Sequence, residues 1–146
     1  FDLVDLGPEL GATLDARRAP PRLAGLIDAI VGADALVVAS PVHKGAYSGL
    51  FKHLFDLIDP AALAGKPLVI AATGGGERHA LVVEHALRPL FAFFGAAVAP
   101  TAVYAAEKEF LDYRPSQPPL LARIGQAADE AAALVAARRQ PLARTA

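Results

Sequence analysis

Residues 35–57 read ALVVASPVHKGAYSGLFKHLFDL, and the fold turns on how this stretch divides. An apolar run, 35–39, meets Ser40 and Pro41, passes through a loop closed by Ser48 and Gly49, and enters a segment with Leu50, Leu54, Leu57 and Ile58 at helical spacing. A run with no polar alternation is the pattern of a strand buried on both faces, and proline, serine and glycine are the residues that end strands and open helices. The stretch therefore predicts strand, loop, helix, with the loop at the carboxyl end of a buried strand.

The same unit recurs along the chain. Residues 1–6 read as a strand ended by Gly7-Pro8, and a polar, proline-broken stretch runs from there to Pro21. Leu23, Leu26, Ile27, Ile30 and Val31 mark a helix before residues 35–39. Beyond the second helix, stopped at Asp59-Pro60, residues 68–72 form a strand, Thr73-Gly74-Gly75-Gly76 a glycine loop, and residues from about 79 to 94 a long helix. Residues 97–103 give another short strand, 104–119 a long connection, and Leu121, Ile124, Ala128, Ala131 and Val135 the apolar face of a last helix, with 138–146 a frayed tail. Alternating strands and helices with apolar strands indicate an α/β fold, a parallel sheet covered by helices on both faces, in a single domain over residues 1–146.

Composition narrows the function. Hydrophobic residues make up 54% of the 146, enough to raise the question of membrane insertion. The longest uncharged stretch, 89–106, is cut by Gly95 and Pro100, whereas a spanning helix needs about 20 apolar residues, so no membrane partner is expected. A net charge of −1 with scattered arginines gives no nucleic-acid footprint. There is no cysteine, hence neither thiolate nucleophile nor sulfur metal site, and a reducing cytoplasm is the default location. The spacings of ten between His43 and His53 and six between His79 and His85 fit no helical metal pair, so no metal is expected.

In open parallel sheets ligands sit outside the carboxyl ends of the strands. The loops 40–49 and 73–79 both leave strands at that edge and form candidate walls of one site. Gly45 and Gly49 let the main chain approach a flat ligand, Tyr47 offers an aromatic plate, and three successive glycines expose backbone without side chains. Each has a plainer reading: the glycines as a turn, Tyr47 as a cap on the core, Lys44 as a solvated charge, His79 and His85 as structural or interface residues. Neither loop pairs a nucleophile with a base, so the layout suits holding a ligand more than attacking it.

Together, SPVHKGAYSGLFKHLFDL, AGKPLVIAATGGGERHALVVEHALRPLFAFFGA and FLDYRPSQPPLLARI resemble the flavodoxin-like NAD(P)H-dependent FMN reductases, and most closely the flavin reductases of two-component alkanesulfonate and methanesulfonate monooxygenase systems. The resemblance implies a flavodoxin-like sheet, FMN and NAD(P)H as cofactors, and export of reduced FMN to a partner monooxygenase. It makes Pro41, Val42, His43, Lys44, Tyr47 and Ser48 flavin contacts and puts Thr73, Gly74, Gly75 and Gly76 on the other side of the flavin, beside the nicotinamide. His43 replaces the family's usual tyrosine. His85 stands where alkanesulfonate reductases insert a tyrosine in a π-helical bulge near the flavin, at a tetramer interface; histidine there is similar to the methanesulfonate branch. A homodimer or homotetramer is implied, to which Phe91, Phe93 and Phe94 would contribute apolar surface unless they fill the core.

The family's first strand and its serine-rich FMN-phosphate loop lie upstream of Phe1 in this comparison, so the 146-residue segment alone is expected neither to fold stably nor to hold FMN. Two other activities fit the same fold: a flavodoxin-like electron carrier with tightly held FMN, and a quinone or azo-dye reductase. The sequence does not separate NADH from NADPH. Arg78 is a candidate contact for a 2′-phosphate, with a solvent-exposed arginine at a helix start as the alternative.

Overall fold

The computed structural model describes residues 7–13 and 21–139. The strand expected at 1–6 and the tail from residue 140 lie outside the described residues. The elements are α1 (Gly7–Ala12), α2 (Pro21–Gly32), β1 (Leu36–Pro41), α3 (Gly49–Asp56), a 3₁₀ turn (Pro60–Leu63), β2 (Pro67–Gly74), a second 3₁₀ turn (Glu77–His79), a π-helical turn (Val83–Leu87), α4 (Arg88–Phe93), β3 (Ala97–Val98), β4 (Val103–Ala106), a third 3₁₀ turn (Glu107–Glu109), β5 (Phe110–Leu111), β6 (Arg114–Pro115) and α5 (Pro118–Arg139).

β2 is the axis of a parallel sheet. It pairs with β1 from Leu36↔Leu68 to Pro41↔Thr73 on one side, and on the other with β3 at its start and β4 at its end. Leu68 and Ile70 are fully buried under α3 and α4, with Phe55, Leu87 and Phe91. Val69 points the other way, into a smaller cluster with Val103, Leu120 and Ala127 beneath α5. Each fully buried Leu or Ile contributes roughly 1.5–3 kcal/mol, so β2 anchors both layers. Phe51, Phe55, Phe91 and Phe94 pack edge to face or tilted, Phe55 and Phe91 at a centroid distance of 4.8 Å and 89°. Phe91 and Phe94 thus fill the core, whereas Phe93 is 72% exposed.

Several expectations need correction. Gly7-Pro8 opens a short helix instead of ending in a turn, because proline is tolerated in a first helical turn; Leu10 is buried, and the Thr13 hydroxyl donates to Leu10 O while lying 2.8 Å from His53 Nε2. β1 is buried on one face only: Val38 and Ser40 point inward, while Val37 is 77% exposed, since no described element covers that side. The strand expected over 97–103 breaks at Pro100, which has no N–H to give the ladder, and pairing with β2 resumes at Val103, so residues 104–106 are strand and not connection. α5 turns Leu120 and Ala127 to the sheet with Ala131 and Leu134 alongside, leaving Leu121 and Ile124 exposed.

The long helix expected from 79 to 94 is three pieces. Its middle is the π turn, in which Arg88 N–H donates to Val83 O, five residues back. Pro89 explains the widening: it brings no N–H to the carbonyl of residue 85, and its ring crowds that carbonyl in a regular helix. Glu84 accepts from Arg88 across the bulge, and Arg88 also donates to Ala99 O and Pro100 O, tying the bulge to the break between β3 and β4.

Candidate functional site

β1 and β2 end side by side, and Val42 N–H donates to Thr73 O at 2.7 Å, so the loops that follow diverge from a common floor. The first loop folds on itself. His43 N–H donates to Ala46 O, Ala46 N–H returns the bond to His43 O, and Lys44 and Gly45 between them have φ of 52° and 88°. Two successive positive φ values are those of a tight type I′ turn; Gly45 adopts them without cost, and Lys44 is held there by the flanking bonds.

Ser48 and Ser40 set the exit. Ser48 caps α3, its hydroxyl accepting from Phe51 N–H, while its own N–H donates to Ser40 Oγ at 3.0 Å. Tyr47 leans on Phe51, ring centroids 5.7 Å apart, at the edge of the core.

The glycine loop is pinned from below. The Tyr104 hydroxyl donates to Gly76 O at 2.5 Å, and Gly74 passes so close over the phenol that a Cβ there would stand 2.4 Å from its oxygen. Burial, with Glu109 and Glu77 nearby, pushes the Tyr104 phenol above its ordinary pKa, so it remains a donor. Gly74 is thus required by packing, whereas at Gly75 and Gly76 a Cβ would meet nothing within 4 Å. Bare backbone at those positions leaves room for a planar ring to approach.

Between the two loops lies a cavity of about 670 Å³ lined by Pro41, Val42, His43, Thr73, Gly74 and Gly75 on one side and by Glu107, Phe110, Asp112 and Tyr113 on the other. Six of the residues expected at a flavin site therefore share one wall. Lys44, Tyr47, Ser48 and Gly76 shape the loops without lining the cavity. His85 lines a separate cleft of about 290 Å³ with Gly45, Arg78, His79, Leu81 and Val82, on the π turn. No group of three or more His, Cys, Asp or Glu placed to hold a metal occurs among the described residues.

The second wall was not anticipated from the sequence. The stretch taken as a connection forms a hairpin, β5 to β6, turned by Asp112 and Tyr113 at φ of 48° and 62°. A glycine or asparagine at this turn would have announced it; an Asp-Tyr pair does not. Tyr104 was missed because it falls three residues before the expected loop, where only the paired strand β4 reveals it. The hairpin's base is held by Arg123, which donates to Tyr104 O and Glu109, and by the ion pair of Lys108 with Glu77.

The profile of NADPH-dependent FMN reductases matches residues 1–111. The chain belongs to this family. It is 53% identical over 142 residues to an FMN reductase (NADPH) of Pseudomonas aeruginosa, covering 97% of this chain and 76% of that one. It is 50% identical over 146 residues to the NADH-dependent FMN reductase SfnF of Pseudomonas fluorescens, covering all of this chain and 78% of the relative. Among solved structures, an oxidoreductase from Corynebacterium diphtheriae superposes with a TM-score of 0.82 at 42% identity, over 90% of this chain and 71% of the other. The flavodoxin-like fold read from the sequence agrees with that superposition. No described helix is long and apolar enough to cross a membrane.

Proposed function

We propose that the protein is an NAD(P)H-dependent FMN reductase whose cavity holds the flavin ring and the nicotinamide, and that it delivers reduced FMN to a partner monooxygenase. The observation that carries the reading is the cavity itself: in a chain of the FMN reductase family, bare glycine backbone and the Pro41-Val42-His43 turn face a second wall across a space of about 670 Å³. A flat heterocycle fits between walls without side-chain obstruction. Bound there, FMN supplies the redox chemistry, accepting a hydride at N5 from C4 of the nicotinamide.

The chain's own task is positioning. Pro41, Val42, His43, Lys44, Tyr47 and Ser48 form and support one flavin-facing loop, and Thr73, Gly74, Gly75 and Gly76 the other, with Tyr104 fixing the height of the glycines. Hydride transfer asks for no side-chain acid or base, so stacking at reacting distance is the main contribution. Pro41, His43, Thr73 and Gly75 are exposed, which favours a flavin that enters and leaves over one sealed in. The sequence resemblance further suggests a sulfonate-desulfonating monooxygenase as recipient and the cytoplasm as the site of action. Exposed Leu81 and Phe93, flanking the π turn that carries His85, support assembly into a homodimer or homotetramer through that surface.

The test is steady-state oxidation of NADH and NADPH by the full-length protein with free FMN titrated in, together with the flavin content of the purified protein. Saturable FMN-dependent turnover with little retained flavin is expected. Tight flavin with negligible turnover would instead identify an electron carrier, and rapid quinone or azo-dye reduction without release of reduced FMN would reassign the acceptor.

A further inference from the structure

NADH and NADPH differ in one group, a 2′-hydroxyl against a 2′-phosphate that is doubly charged near neutral pH. All else, including the pyrophosphate, is common to both and cancels from any ratio of their rates. What decides between them is the charge that the cavity presents to that one group.

The hairpin wall presents carboxylates. Glu107 and Asp112 line the cavity, and no lysine or arginine does. The cations nearest in sequence to this wall are engaged elsewhere: Lys108 pairs with Glu77 at 2.5 Å, and Arg123 donates to Tyr104 O and to Glu109. Arg78, the sequence's candidate for a 2′-phosphate, lines the separate cleft with His79 and His85. A carboxylate accepts a hydrogen bond from a ribose hydroxyl, whereas it repels a phosphate and offers nothing to replace the phosphate's lost hydration. The Asp112-Tyr113 turn holds this arrangement in place, with Tyr113 fully exposed as a ring face beside the carboxylates.

Resting on the FMN reductase reading, we propose that Glu107 and Asp112 are specificity residues through which the hairpin wall selects NADH over NADPH. Discrimination arises by repulsion of the wrong donor as much as by attraction of the right one.

The experiment compares kcat/KM for NADH and NADPH at saturating FMN in the full-length protein and in the double variant Glu107→Gln/Asp112→Asn. Asparagine accepts the left-handed backbone at 112 at least as well as aspartate, so the turn is kept. NADH is expected to be favoured by about tenfold or more, and the double variant to narrow the ratio by about threefold or more, mainly through a higher kcat/KM for NADPH. Added salt should narrow the ratio in the wild type and have little effect on it in the variant. Equal use of both donors, a preference for NADPH, or a ratio the variant leaves unmoved would overturn the proposal while leaving the reductase reading intact. FMN-independent or absent oxidation of both nucleotides would remove the two together.

Discussion

At its amino end β2 follows Lys66, which is only 3% exposed and whose ammonium donates to Val31 O and Ala33 O, the carbonyls that α2 leaves free as it ends. At its carboxyl end, eight residues of strand later, it runs out into glycines whose only tether from below is the Tyr104 hydroxyl. The first end is closed by a buried cation, the second kept open by absent side chains. One strand thus divides its labour: residues at the amino end hold helix to sheet, and residues at the carboxyl end hold space.

If that division is real, substitutions at the two ends should separate stability from turnover. The largest stability effect is expected from Lys66→Met in the full-length protein. It strips both helix-end carbonyls of a charged donor, and with the cost of burying the ammonium offsetting part of the loss, about 2 kcal/mol should disappear from the unfolding free energy. The KM for FMN of the folded fraction should stay as it was, measured by urea unfolding and steady-state kinetics on one preparation. A raised KM would mean the closed end communicates with the cavity.

Gly74→Ala is the converse. Its methyl group has to displace the Tyr104 ring or lift the glycine loop, so FMN-dependent kcat/KM should fall about tenfold or more, with a stability loss of about 1–3 kcal/mol. Placing Tyr104→Phe in the same chain removes the oxygen in conflict and should restore part of both, which a double-mutant cycle reads directly. Strict additivity would show that the contact is not what the methyl group disturbs. Tyr104→Phe alone should be milder, about 1 kcal/mol in stability and a few-fold rise in KM for FMN as Gly76 loses its tether.

The smallest effect concerns acid. Arg88, hydrogen-bonded to Glu84, holds that carboxyl below its ordinary value, and bonds from the Thr101 N–H and hydroxyl do the same for Glu130. Groups with depressed folded values stabilise above the ordinary carboxylate pKa, and that contribution is lost as pH falls through the depressed value. Unfolding midpoints should drop slightly from about pH 6 to about pH 3, and less so in Glu84→Gln/Glu130→Gln. Both carboxylates brace the break between β3 and β4, away from the cavity, so the change should appear in stability before it appears in flavin affinity.

How much of this was legible in the sequence follows the same division. β1, β2, α2 and α3 were found to within a residue or two at most ends because apolar runs and their proline or glycine stops are local signals. The flavin-facing wall was equally local, since glycine triplets and a strand-ending proline announce themselves. The hairpin wall was not, because its turn uses Asp112 and Tyr113 in a conformation that only the β5–β6 pairing enforces. The face of α5 was misread for a related reason: Leu120, Leu121, Ile124, Ala127 and Ala128 offer two overlapping apolar stripes, and only contact with Val69 and Val103 selects one. The break at Pro100 and the π turn before Pro89 were likewise settled by neighbours and not by propensity.

The most direct measurement is a crystal structure of the full-length protein with FMN. The isoalloxazine ring should lie in contact with Pro41, His43 and the backbone of residues 73–75, with the hairpin at 110–115 across from it. A flavin bound elsewhere, or a cavity at the carboxyl ends of β1 and β2 left empty under saturating FMN, would contradict the account.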